Sequence, residues 1–194
     1  MRRLFEDIWE QLPDRLEPPD WEARRGFLLN HVRPGARVLD LGCGEGRFTA
    51  ELVAAGADAT GAEVAEAALR RARAAHPGMP FELVPYDGPL PFPDAVFDVV
   101  WISEVIERIA DAGGFLAEAK RVMSLDGALL LTTPSAGRLR VLLEGGPDPT
   151  SDRLRLYTRR SLEHVLCDAG FGEVKVRRFG SRRARLAATA RQRN

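Results

Sequence analysis

Two features of the chain bring together residue types that could do chemistry. The first is Asp40-Leu41-Gly42-Cys43-Gly44-Glu45-Gly46, with glycine at every second position directly after the apolar stretch that begins at Val38. Fixing a glycine costs backbone entropy, so three in five positions point to a backbone that another group must approach closely. The second is a pair of acids. Glu63 stands 17 residues beyond Gly46, and Asp87 is followed by Gly88. Carboxylates readily accept hydrogen bonds from a ribose diol or an aromatic amino group, and this spacing is near that at which an acid reaches ribose hydroxyls.

The glycine spacing differs from the G-x-G-x-x-G of dinucleotide folds, where a pyrophosphate rests on a helix N-terminus. Glu45 at the mouth of the following helix would also repel a phosphate. A ligand with a compact cationic or zwitterionic end suits the turn better, and an NAD-dependent oxidoreductase ranks last. The bland alternatives are a tight turn that binds nothing, and helix-cap or solvated-turn roles for each acid. Regular placement at consecutive strand ends argues against all of these at once.

The elements that must position these residues are legible from periodicity. Two helical stretches (2–12 and 21–32) are separated by Pro13, Pro18 and Pro19. After Pro34-Gly35, short apolar runs alternate with alanine-rich helical stretches. The expected strands are 37–41, 57–63, 81–85, 97–102 and 127–134, with helices over 46–56, 65–76 and about 111–123. Such alternation implies right-handed crossovers and a mostly parallel, doubly wound sheet with helices on both faces. The continuous runs Val99 to Ile102 and Ala128 to Leu131 suit central strands buried on both sides. Segment 135–157 is looser. Thr158 then caps a helix that ends before Gly170, and strands over 172–179 and 184–191 bring the expected total to seven.

Composition bounds the remaining classes. The chain has 194 residues, 45% hydrophobic and 29% charged, which fits a single domain with a sizeable core: a helical cap over 1–32 and an α/β core over 36–191. No run approaches the roughly 20 apolar residues of a membrane span, and the first ten residues do not resemble a secretory signal. Cys43 and Cys167 form no pairing pattern, which suggests a reducing cytoplasm. His31, His76 and His164 share no metal-ligand spacing, so no metal is expected. Net charge is zero, but the last 20 residues carry eight basic residues and no acid, leaving 20 basic against 28 acidic elsewhere.

Taken together, the chain resembles the class I S-adenosylmethionine-dependent methyltransferases, in particular the small-molecule group related to ubiquinone-biosynthesis methyltransferases. Four segments carry the resemblance in order: VLDLGCGEG, PYDGPLPFPDAVFDVVWISEVIERI, AKRVMSLDGALLLTTPS and LRLYTRRSLEHVLCDAGF. It covers roughly residues 20–191 and implies a Rossmann-like fold binding S-adenosyl-L-methionine. It also implies roles by position. Asp40 would lie near the methionine end and shape the turn, with the backbone of Gly42, Cys43 and Gly44 against the cofactor and Gly46 closing the motif. Glu63 would hold the ribose hydroxyls, Val64 one adenine face, and Asp87 the adenine amino group beside Gly88. Ser103 and Glu104 would line the sulfonium end. The Cys43 thiol needs only to be small.

The chain departs from the family where many relatives read Glu-His and it reads Glu107-Arg108. Arginine stays protonated and cannot act as a general base. Methyl transfer by in-line displacement needs mainly alignment, so a base is optional. Glu104, Glu107, Tyr157 and His31 are candidates, each with a structural role as an equal account, and no catalytic residue is assigned. The N-terminal helices, with Trp9 and Trp21, are expected either to cover the substrate or simply to cap the sheet. The expected acceptor is a small molecule with an oxygen or nitrogen nucleophile. Two rivals remain: an RNA methyltransferase using Arg177, Arg178, Arg182, Arg183 and Arg185, and a non-catalytic S-adenosylmethionine-binding regulatory protein. The rival arginines would more ordinarily form a solvated hairpin edge.

Overall fold

The computed structural model describes residues 2–13, 18–136, 154–180 and 185–192. Seven strands form one sheet in the order β3-β2-β1-β4-β5-β7-β6. They are β1 (Arg37–Leu41), β2 (Asp58–Glu63), β3 (Phe81–Leu83), β4 (Phe97–Ser103), β5 (Met123–Pro134), β6 (Phe171–Phe179) and β7 (Arg185–Gln192). The first five run parallel, and β7 is antiparallel to both β5 and β6. The helices are α1 (Arg2–Gln11), α2 (Trp21–Leu29), α3 (Arg47–Ala54), α4 (Glu66–Ala75), α5 (Ala112–Val122) and α6 (Arg159–Asp168), with a 3-10 turn at Ile106–Arg108.

Strand side chains alternate between two cores, as the pleat requires. Leu39, Val100, Ile102, Leu129 and Leu131 face Leu116 of α5 and Leu162 and Leu166 of α6. Val38, Val99, Trp101 and Leu130 face the other way, against Phe27 and Leu28 of α2 and Phe48 and Leu52 of α3. This double burial is why the central strands read as unbroken apolar runs. A bulge in β5 pairs Met123 with Phe97 and then Ala128 with Val99, so Ser124 to Gly127 are looped out of the ladder.

The helix ends follow local chemistry. Thr158 Oγ1 accepts from the Ser161 N–H, and Ser161 Oγ accepts in return from the Thr158 N–H, a reciprocal cap at the start of α6. By contrast, Ala65 heads α4 and has no side chain to cap with. Its role is taken by Glu6 of α1, whose two carboxylate oxygens accept from the N–H groups of Glu66 and Ala67, each at 2.9 Å. That contact fastens α1 across the chain onto the sheet's parallel half.

Among the described residues, no helix is long and apolar enough to cross a membrane. The basic terminus is dispersed. Arg177 and Arg178 are exposed on edge strand β6, whereas Arg185 is 3% exposed and points inward, so it forms no part of a solvated edge. Arg182 and Arg183 lie outside the described residues.

Candidate active site

The parallel strands end on one side of the sheet, and a cavity of about 650 Å³ opens there. That volume lies within the roughly 300–1,000 Å³ range of small-molecule sites, at the position where open α/β sheets bind ligands. Its walls include Leu41 and Gly42 from the end of β1, Ala62 and Glu63 from β2, Asp87 and Gly88 from the loop after β3, and Ser103 and Glu104 at the end of β4.

The glycine turn is drawn tight by two hydrogen bonds to one acceptor. The N–H groups of Gly42 and Cys43 both reach the Ala62 carbonyl, at 2.7 and 3.0 Å. Gly42 has φ +83° and Gly44 φ +55°, conformations that L side chains rarely adopt. Protein side chains also occupy the space a Cβ would need. A Cβ on Gly42 would strike Val105, and one on Gly44 would meet the Trp9 indole at 2.8 Å. The close approach inferred from the spacing is thus made, at these two positions, by Val105 and Trp9.

Glu63 is 7% exposed and holds the turn together. Its Oε2 accepts from the Gly44 N–H at 3.0 Å, and its Oε1 accepts from the N–H groups of Val64 and Ala65 at 2.8 and 3.1 Å. Burial raises its pKa from the ordinary value, against the pull of these donors and of Arg108. A carboxylate has about four lone-pair directions, so three donors leave one for a ligand.

Asp40 sits deeper. It is 1% exposed, accepts from Thr49 Oγ1 at 2.7 Å, and does not line the cavity. Burial pushes its pKa up to about 7, with the Thr49 hydrogen bond opposing. Cys43, Gly44 and Gly46 also lie behind the wall rather than in it. The Cys43 thiol is buried and its pKa is raised by that burial, a thiol without reactive character.

Asp87 is exposed at the rim. Its loop is staked down by α5: Glu118 accepts from the Leu90 N–H, and Arg121 donates to the Leu90 and Phe92 carbonyls and to Asp94. Across the mouth lies α1, contributing Phe5, Ile8, Trp9 and Leu12. Of the two tryptophans in helices expected either to cover the substrate or to cap the sheet, Trp9 lines the cavity and Trp21 does not. Trp21 stacks on Phe48 at 4.6 Å in the opposite core.

Beyond Ser103 the chain turns sharply, with Glu104 at φ +61°. Around it lies a buried polar cluster that periodicity did not indicate. Arg24 donates to Ser103 Oγ at 3.0 Å, and Ser103 shares a hydrogen bond with Thr132. Arg185 bridges Asp20 and Glu104. Burial works against the Arg185 charge, but Glu104 and Asp20 outweigh it and raise its pKa. Glu107 is 1% exposed, far from the surface role it could have had, and accepts from Thr133 Oγ1 at 2.9 Å. Burial, and then Glu104, push its carboxyl up to about 7. Tyr157 is also buried. His31 stands apart: its Nδ1 donates to the Phe27 carbonyl and it does not line the cavity. Among the described residues no cluster of His, Cys, Asp and Glu is placed to hold a metal ion.

Comparison with known proteins places this arrangement. Residues 39–131 match the family model described as a methyltransferase domain. A malonyl-[acyl-carrier protein] O-methyltransferase of Erwinia billingiae is 36% identical over 110 residues, 57% of this chain and 43% of that protein. A probable S-adenosylmethionine-dependent methyltransferase of Mycobacterium tuberculosis is 33% identical over 163 residues, 80% of this chain and 57% of that protein. The chain thus spans about half the length of the curated relatives it matches. Among solved structures, the putative methyltransferase seen in complex with the Trm112 methyltransferase activator of Haloferax volcanii superposes with a TM-score of 0.77. It is 18% identical, covering 99% of this chain and 96% of that one, a likeness of fold.

Proposed function

We propose, on the match of residues 39–131 to the methyltransferase-domain family and the likeness to S-adenosylmethionine-dependent relatives, that this chain is a class I S-adenosylmethionine-dependent methyltransferase that transfers a methyl group to an oxygen or nitrogen of a small molecule. The observation that carries this reading is Glu63: a buried carboxylate on the cavity wall, held by three backbone donors with one lone pair to spare. A ribose hydroxyl is a donor of the right kind. The apolar walls at Leu41, Ala62, Val64, Val84 and Leu90 suit an adenine ring, so the residues present fit the cofactor.

Bound S-adenosylmethionine supplies a methyl group already activated on a sulfonium. The chain's part is then to bind, orient and exclude water. Glu63 would hold the ribose hydroxyls and Val64 one face of the adenine. Asp87, with the Gly88 backbone, would take the adenine amino group. The backbone from Gly42 to Gly44 would support the methionine end, with Asp40 and Gly46 fixing the turn from behind. Ser103 and Glu104 would line the reacting end. Holding the nucleophile in line with the methyl group supplies most of the acceleration, since an oriented pair avoids the entropy of encounter. Helix α1, held by Glu6, lies across the mouth and would limit the access of water to the charged centre.

Calorimetric titration with S-adenosylmethionine and S-adenosylhomocysteine, on wild type and Glu63→Ala, tests the reading. Micromolar binding that weakens at least tenfold in the variant is expected, a loss of about 1.4 kcal/mol or more. Failure of the wild type to bind either ligand overturns it.

A further inference from the structure

Residues 87–94, part of the link from β3 to β4, form neither strand nor helix. Pro89, Pro91 and Pro93 stand there at alternate positions, and proline has no N–H to give to a ladder. The hydrogen bonds that hold this stretch to the rest of the described residues run to two side chains of α5, Glu118 and Arg121. Leu90, buried and on the cavity wall, is gripped by both its backbone groups. Its N–H donates to Glu118 Oε2 at 2.8 Å, and its carbonyl accepts from Arg121 Nη2 at 2.9 Å. Arg121 Nη1 donates to the Phe92 carbonyl at 2.9 Å and to Asp94 at 2.6 Å, while its Nε and Nη2 donate to Glu118. These bonds from Arg121 also hold the Glu118 carboxyl below its ordinary pKa, so the acceptor for the Leu90 N–H stays ionised.

Asp87 and Gly88 hang between this clip and an upstream anchor, the Tyr86 hydroxyl, which accepts from the Ala110 N–H at 3.2 Å. Little else fixes them. Asp87 is exposed, Gly88 has φ +109°, and a Cβ on Gly88 would meet nothing within 4 Å. Their position therefore follows from where Leu90 is held. A guanidinium donates along a rigid planar fork, so the clip admits one placement of the loop rather than a range.

We propose that Arg121 and Glu118 set the base specificity of the cofactor site: by clamping Leu90 and Phe92 they hold Asp87 and Gly88 where an adenine amino group is accepted and a base carbonyl is refused. A carboxylate takes a hydrogen bond from an amino group, but against a carbonyl oxygen two acceptors face each other. Both are positioning residues. Arg121 does not line the cavity, and Glu118, which does, spends its carboxylate on Leu90 and Arg121. The inference rests on the cofactor reading above and extends it to residues on α5.

The test is calorimetric titration of wild type, Arg121→Met and Glu118→Ala with S-adenosylhomocysteine and with S-inosylhomocysteine, whose base carries a carbonyl in place of the amino group. Wild type should prefer the adenosyl ligand about tenfold or more, the worth of a hydrogen bond to a charged group. Each variant should cut that preference at least about threefold, because a hydrogen bond weakens steeply once misaligned. A variant that is merely less folded loses affinity for both ligands by the same factor and keeps the preference. An unchanged preference in either variant therefore overturns the proposal, whatever its absolute affinity. So does a wild type that binds the two ligands equally well. A wild type that binds neither is a different result, and refutes the cofactor reading itself.

Discussion

Arg185 Nε donates to Asp20 Oδ2 at 2.6 Å although the two residues stand 165 positions apart. Their side chains are 4% and 9% exposed, and the same guanidinium reaches Glu104 at the cavity wall. The first residue of β7 thereby joins the start of α2 to the turn after β4. Asp20 and Glu104 both hold left-handed backbone conformations, φ +54° and +61°, which cost energy in non-glycine residues and persist where surroundings over-determine them.

Removing one member of a buried ion pair leaves the other charge uncompensated, at a cost of about 3–5 kcal/mol. Arg185→Met is therefore expected to lower stability by about that amount, read from urea denaturation midpoints at constant m-value. Replacement of Arg178, exposed on the neighbouring strand, should change stability by no more than about 0.5 kcal/mol. Equal effects of the two substitutions would contradict the buried bridge.

The Asp40 and Glu107 carboxyls carry a pH prediction. Each is raised by burial to about 7, from ordinary values of 3.8 and 4.5. Between those limits the folded chain keeps protons that the unfolded chain has released. Stability therefore falls as pH rises through this window and levels off above about 7, by about 1.4 kcal/mol per pH unit for each proton retained. Denaturation midpoints between about pH 5 and about pH 8 should show this decline. Asp40→Asn keeps an acceptor for Thr49 Oγ1 and should remove one proton's share of the slope. A slope identical to wild type would show that Asp40 is ionised in the fold.

Helix α1 stays in place through Glu6, which caps α4 where Ala65 cannot. Glu6→Ala should cost about 1 kcal/mol, the usual worth of a lost cap. It should also loosen the lid: S-adenosylhomocysteine dissociation is expected to quicken several-fold in stopped-flow measurements of tryptophan fluorescence, with Trp9 as reporter. Unchanged dissociation would leave α1 a cap on the sheet with no part in access to the cavity.

What the sequence displays is local. Asp40 to Gly46 after a strand, Glu63 at the next strand's end and the alternation of strand and helix are periodic or adjacent features. The structure puts the seven strands within a few residues of their expected places. Membership of the cavity wall followed less evenly: Gly42, Glu63, Val64, Asp87, Gly88, Ser103 and Glu104 line it, whereas Asp40, Cys43, Gly44 and Gly46 stand behind it. A glycine motif shows that space is needed without showing what fills it. The Arg185 bridge was not legible at all. Its partners are set by the antiparallel return of β7 beside β5, and an arginine in a basic terminus looks the same whether its side chain points in or out. For a similar reason Trp9 and Trp21 could not be told apart, since both lie in amphipathic helices and only packing sends one to the cavity.

The last prediction separates two reasons for a glycine at position 44. Its φ of +55° alone makes a side chain costly, by roughly 1–2 kcal/mol for an L-residue in that conformation. The Trp9 indole adds a second cost, because a Cβ would lie 2.8 and 2.9 Å from its Cζ2 and Cη2 atoms. Trp9→Ala removes the second cost and leaves the first. Gly44→Ala should therefore harm the wild type more than it harms the Trp9→Ala background. The two changes should couple by about 0.5–3 kcal/mol in a double-mutant cycle of unfolding free energies, the range found for residues in contact. In the single Gly44→Ala variant the ring must move, so tryptophan fluorescence should shift toward that of exposed indole. Strict additivity, with no spectral change, would mean that Trp9 does not rest on Gly44 in solution and that backbone conformation alone demands the glycine.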